Sequence, residues 1–162
     1  NLIQSDHVLI VQMAKSVGSE TSDPWQLACQ LEKHVAQLID KKDFSRVLAS
    51  AAEVIRSRQG DCTEHAVLLA ALCRARQLPT RVVVGLVYVP RPAAPELAYH
   101  MWNEVWIQNG WFPLDATLGQ GGIGAGHLKL TDSNLAGASS LSVFLPVSQV
   151  ARRLQVEIIS AE

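Results

Sequence analysis

Charge of one sign is what this sequence most plainly lacks. Its 14 lysines and arginines stand against 15 aspartates and glutamates, a formal charge of -1. No basic run, and no basic stretch interleaved with aromatics, occurs anywhere. A nucleic-acid partner needs clustered cations to displace counterions from phosphates, and an anionic membrane surface needs the same, so this domain is expected to contact neither. Long hydrophobic runs are missing too, none approaching the roughly 20 apolar residues of a membrane span. Cysteine is scarce and odd in number. Cys29, Cys62 and Cys73 follow no zinc-knuckle spacing and no secreted disulfide framework. At least one thiol is therefore free or pairs between chains. Compartment and oligomeric state stay open. An initiator methionine is also absent: the chain starts at Asn1, and the expectation is a piece cut from a longer protein.

What is present suits one core. The 162 residues are 48% hydrophobic and 18% charged, which predicts a single domain over 1–162. Val8, Leu9, Val11 and Met13 suggest a helix over 5–17. Asp23-Pro24 is a helix start, with aspartate as N-cap and proline at the first helical position. Leu27, Leu31, Val35 and Leu38 then mark one face of a helix over 24–40. A shorter helix is expected over 45–57, ended by Gly60. Asp61 and Glu64 have capping-box spacing and open a further helix that stops before Pro79. The β-branched run 80–89 reads as a central strand, with Gly85 marking a bulge or a close backbone approach. Three prolines make 90–98 a loop. Strands 99–107 and 111–115 flank an Asn109-Gly110 turn, and 119–126 is a glycine-rich loop. A short strand is expected over 127–130 and a closing strand over 153–159. Helices first and antiparallel strands after imply an α+β fold.

Cys62 stands out by position. At the first turn of the helix capped by Asp61, the dipole and unpaired amides favour a thiolate, the nucleophilic form of cysteine. The same amides can stabilise an oxyanion. The plain alternative is a small buried hydrophobe, the usual fate of a free cysteine. Cys73 and Cys29 lie mid-helix among apolar neighbours, where packing is the better reading.

A cysteine nucleophile needs a base, and the base an orienting group. His7 and His34 belong to the N-terminal helices and read as exposed or boundary residues. His65 shares a helix with Cys62 and points outward beside it, so it cannot easily face a carbonyl held over the sulfur. His127 follows the glycine loop, within approach of a site there, with nothing in the sequence to pin it. His100 opens a strand after the proline loop, where a side chain can face a cleft. Asp115 ends the neighbouring strand within diagonal reach of it. The plain reading of Asp115 is a turn or cap residue before Thr117.

Three stretches also resemble the transglutaminase-like superfamily. Gly60-Asp61-Cys62-Thr63-Glu64-His65-Ala66, continued by Ala71-Leu72-Cys73-Arg74-Ala75 and Leu78-Pro79-Thr80-Arg81-Val82, is similar to its nucleophile helix and following strand. His100-Met101-Trp102-Asn103-Glu104-Val105-Trp106 is similar to its histidine strand. Gly110-Trp111-Phe112-Pro113-Leu114-Asp115-Ala116-Thr117 is similar to its aspartate segment. The likeness spans about residues 45–131 and is specific because three motifs occur in order. It departs at Met101, where a small residue is common, and at Thr80, where alanine is. What the resemblance implies is a papain-like fold and a Cys62–His100–Asp115 triad. That triad would act by acyl transfer or hydrolysis on an amide of a peptide or protein substrate, without cofactor or metal. Two other readings stand beside it. One is a catalytically silent binding or assembly module, with Trp102, Trp106 and Trp111 as anchors. The other is a metal site of Cys62, His65, His100 and Asp115, which lacks any recognised ligand spacing.

Overall fold

Asp23 begins the helical layer in the way its chemistry requires. Its Oδ1 accepts the N–H groups of Trp25 at 2.7 Å and Gln26 at 3.0 Å. From there Pro24–Leu38 forms a helix. The computed structural model describes residues 2–40, 48–92, 96–136, 145–150 and 153. Numbered along the chain, its helices are α1 (Val8–Ser16), α2 (Pro24–Leu38), α3 (Ala51–Ser57), α4 (Cys62–Ala75) and α5 (Leu145–Val150). The expected stripe on α2 is buried at Leu27, Leu31 and Val35. The expected helix over 45–57 starts later. Ser50 is the N-cap of α3, and Glu53 accepts its N–H at 2.9 Å. That box is a stronger start signal than the helical phase of Val47 and Leu48. The expected start at 45 lies outside the described residues.

α4 is the central helix. Asp61 caps it, accepting the Thr63 N–H at 2.8 Å. Glu64 Oε2 returns to the Asp61 N–H at 3.0 Å, and its Oε1 takes the Ala49 N–H at 3.1 Å. Every residue from Glu64 to Cys73 is buried, so α4 is enclosed by the other helices and the sheet.

Among the described residues four strands complete the α+β fold: β1 (Thr80–Val89), β2 (Glu96–Ile107), β3 (Gly110–Leu114) and β4 (His127–Ser133). They pair antiparallel in the order β3-β2-β1-β4. Gln108 and Asn109 both have positive φ, the mark of a two-residue type I′ hairpin. The turn therefore sits one residue earlier than Asn109-Gly110, and Gly110 already pairs with Ile107. From Glu96 to Ile107 every residue has an N–H to donate, so Glu96 and Leu97 extend β2 against Val89 and Tyr88 and shorten the expected loop. β4 likewise runs to Ser133 rather than Leu130, because β1 offers Val82–Val84 as partners.

Gly85 is a bulge, as its glycine predicted. The β1–β4 register shifts at Val84/Gly85. A Cβ there would collide with the Leu128 carbonyl oxygen and stand 2.7 Å from Cη2 of Trp102. One face of β2 meets α4, where Asn103 Nδ2 donates to the Ala66 carbonyl at 2.9 Å. On the opposite face Arg81, Glu104, Lys129 and Asp132 form an ion-pair chain across β2, β1 and β4. The expected closing strand over 153–159 lies outside the described residues, apart from Arg153, which stands in a turn. Among the described residues no helix is long and apolar enough to cross a membrane.

Candidate active site

Cys62 is the first residue of α4 and is half-buried. Its helix begins where it does because Asp61 and Glu64 satisfy the cap. The amides of Thr63 and Glu64 both bond the Asp61 carboxylate. Cys62's own amide is the one left to the site among those three. Cys73 is fully buried, and burial pushes its thiol up to about 12. Burial, with Glu32 and Asp23 nearby, raises Cys29 as well.

β2 carries His100 to Cys62, and the end of β3 carries Asp115 to His100. Continued one residue past the Asn103–Leu114 pair, the register sets Asp115 opposite Trp102. That position is diagonal to His100, the reach expected between adjacent strands. The Nε2–H of His100 donates to Asp115 Oδ2 at 2.6 Å. The Cys62 side chain also acts on the ring, and with Nε2 given to Asp115 the nitrogen left to the sulfur is Nδ1. Burial alone would lower the His100 pKa. The hydrogen bonds to Asp115 and Cys62 outweigh it and raise it to about 9. For Asp115, which is fully buried, burial would raise the carboxyl. Hydrogen bonds from His100 and then His127 instead hold it far below the usual carboxylate range.

The other sequence candidates are placed apart from that row. His65 turns its Nδ1–H to the Asp61 carbonyl at 2.6 Å, one turn back along its own helix. His7 caps α1, its Nδ1 accepting the Leu9 N–H, and His34 is half-buried on α2. The metal grouping of Cys62, His65, His100 and Asp115 is not the one that converges. Among the described residues, the cluster with metal-type donors in mutual reach is His100, Asp115 and His127. Hydrogen bonds already account for it.

Two further residues meet Asp115, one of them, Glu32, absent from the sequence reading and the other, His127, named there as able to approach the site. His127, at the start of β4, donates from Nε2 to the same Asp115 Oδ2 at 3.1 Å. Glu32 on α2 is fully buried and accepts the Asp115 N–H at 3.0 Å and the Gly121 N–H at 2.6 Å. Burial raises the Glu32 carboxyl, against the pull of those amides. A signal for Glu32 existed: a carboxylate four residues after Ala28 and three before Val35 sits on the apolar face, where none belongs without a partner. For His127 the sequence offered only a position after a glycine loop.

Comparison with known proteins bears on the family and the fold. The family model described as "Transglutaminase-like superfamily" matches residues 11–116. No curated protein matches the chain. Among solved structures, a "Putative Cysteine Protease" from Cytophaga hutchinsonii superposes with a TM-score of 0.71 at 23% identity. It covers 86% of this chain and 46% of its own. A "putative protease" from Parabacteroides distasonis superposes with a TM-score of 0.52 at 15% identity, covering 71% of this chain and 24% of its own. At these identities the likeness is one of fold, and the chain spans less than half the length of either structure.

Proposed function

The chain belongs to the transglutaminase-like superfamily, and on that premise we propose that it is a cysteine-dependent acyl-transfer enzyme acting on amide bonds of a peptide or protein. Cys62 is the nucleophile, His100 the acid and base, and Asp115 its orienting carboxylate. One observation carries this reading. The His100 ring joins Asp115 by Nε2, at 2.6 Å, to the half-buried sulfur at the start of α4.

With its pKa near 9, His100 is an imidazolium at neutral pH. That imidazolium can pair with a thiolate, the nucleophilic form of cysteine. The thiolate attacks the carbonyl carbon, and the oxyanion forms where the Cys62 amide can donate. His100 then gives its Nδ1 proton to the leaving nitrogen as the C–N bond breaks. In the second half-reaction a water or an amine passes a proton to His100 as its oxygen or nitrogen bonds the acyl carbon. The C–S bond breaks and the thiolate returns. Water gives hydrolysis; an amine gives transfer.

Mass spectrometry with an amide-mimicking electrophilic peptide tests the assignment. The expected adduct is on Cys62 and is absent from Cys62→Ala. Labelling that survives in Cys62→Ala, or that falls on Cys29, would overturn it. A silent binding module has support of its own: Trp106 and Trp111 are 39% and 37% exposed, beside a surface hollow of about 590 Å³ that Trp111 lines. Trp102 does not join them, being buried. A fully folded protein with no covalent adduct would favour that module.

A further inference from the structure

Three donors converge on the Asp115 carboxylate. Oδ1 accepts the Thr117 N–H at 2.9 Å, two residues along the same segment. Oδ2 accepts His100 Nε2 at 2.6 Å and His127 Nε2 at 3.1 Å. The third donor comes from far off in the sheet. β4 and β3 are opposite edges in the order β3-β2-β1-β4, and the glycine loop brings the start of one to the end of the other. The His127 ring is locked where it stands. Trp102 packs edge-on against it, with centroids 5.1 Å apart and planes at 78°, and stacks on His100 at 6.2 Å. The missing Cβ at Gly85 is what lets Trp102 lie over β1.

His127 does not act as proton carrier for Cys62, because Nε2 is given to Asp115 and Nδ1 is buried, with no hydrogen-bond partner among the described residues. Leaving a buried polar atom unmet costs free energy, and such an atom calls for a compensating role. A carboxylate held by two donors can still swing about its Cβ–Cγ bond, carrying Oδ2 away from His100. A third donor at Oδ2, from a different direction, removes that freedom.

We propose that His127 is a positioning residue: its Nε2–H fixes the Asp115 carboxylate, and through it the His100 imidazole that serves Cys62. This rests on the Cys62–His100–Asp115 reading above and adds to it a fourth side chain that touches no substrate. The role asks for an N–H at the Nε2 position and for nothing else of imidazole. Glutamine places its amide nitrogen about as far from Cβ and can supply that N–H. Phenylalanine keeps the ring against Trp102 and supplies none.

p-Nitrophenyl acetate separates the two half-reactions. Its leaving group needs no proton, so the burst of nitrophenolate reports attack by Cys62 without general-acid help. The slower steady state reports water activated by His100. His127→Phe is expected to keep the burst and to slow the steady state by about 10-fold, with kcat and KM falling together and kcat/KM held, as expected when only the base of the second half-reaction is misplaced. His127→Gln is expected to restore it to within about threefold. A steady state unchanged in His127→Phe, or a His127→Gln as slow as His127→Phe, overturns the proposal. A wild type without a burst would instead overturn the enzymatic reading. Nitrogen NMR of the wild-type rings then decides the positioning separately, and it does so equally if the variants fail to fold. His127 must carry its proton on Nε2, and the His100 Nε2–H must exchange slowly with water. A His127 proton on Nδ1 refutes the proposal.

Discussion

A carboxylate beside an imidazole acts through its charge, and Asp115 is the residue where charge can be removed with least change of shape. Asp115→Asn keeps the size and the hydrogen-bonding capacity but presents a neutral partner to His100. In the serine-protease example from which this logic is taken, the change costs about 10⁴ in turnover. A thiol depends less on its base than a hydroxyl does, so a loss of about 10–10³ is expected here. The pH profile carries the sign. His100 is raised to about 9 chiefly by its hydrogen bond to Asp115, so the alkaline limb of kcat/KM, where the imidazolium is lost, should move to lower pH in Asp115→Asn. Full activity with an unmoved limb would reduce Asp115 to a turn residue and leave a Cys62–His100 pair. Alkylation by iodoacetamide near neutral pH distinguishes the thiols. Cys62 should react first, because burial raises both Cys29 and Cys73; a faster Cys29 would undo the nucleophile assignment. Cys62 and Asp115 were legible because each sits at a position with local meaning, a helix start and a strand end, and His100 because it follows the proline loop, although β2 begins earlier, at Glu96. Glu32 was not, since its partner lies 83 residues away in sequence, and the contact of His127 was not, since β4 and β3 do not pair and no hairpin register links them.

At the scale of elements, caps were read well and strand lengths poorly. A capping box is complete within four residues, so Asp61 and Glu64 declare the start of α4 without tertiary help. Strand ends depend on a neighbour: β2 begins at Glu96 and β4 ends at Ser133 because β1 is long enough to pair with both. Glu64 shows how far a cap can reach. Its two oxygens serve Asp61 in its own helix and Ala49 ahead of α3, fixing the chain on either side of the nucleophile's approach. Glu64→Ala would leave two backbone donors unmet, in a site where Glu64 is 1% exposed. The expected loss is on the order of 2 kcal/mol, from the lost cap and the orphaned N–H groups together. Chemical denaturation measures it. Glu64→Gln, which keeps acceptor oxygen for one amide, should lose less, and equal losses in the two variants would show that packing rather than capping holds the turn.

Across the whole molecule, buried charge joins the helical layer to both edges of the sheet. Glu32 holds the Asp115 and Gly121 amides from α2, while His100 and His127 meet Asp115 from β2 and β4. Stability must therefore vary with pH, and the groups act in different windows. Asp115 is lowered in the fold, so its contribution is present above its ordinary value and is lost as pH falls. Glu32 is raised and works in the opposite sense over the same acid range, which blurs any acid transition. His34 is lowered by burial, and its effect is complete above its ordinary value of 6.5. The raised thiols act only as pH nears 9.0 and beyond, where unfolded cysteine ionises. Between these lies a window that belongs to His100. Its folded pKa of about 9 exceeds its ordinary value of 6.5, so the stability it contributes is full below 6.5 and drains away as pH rises toward 9. Denaturant unfolding at about pH 7 and about pH 8.5 should show the wild type losing on the order of 1–2 kcal/mol over that step. His100→Gln, with no imidazole to titrate, should start less stable and change little between the two pH values. The same decline in His100→Gln as in the wild type would place the titrating group elsewhere and deny the Asp115–His100 pair its part in holding helices and sheet together.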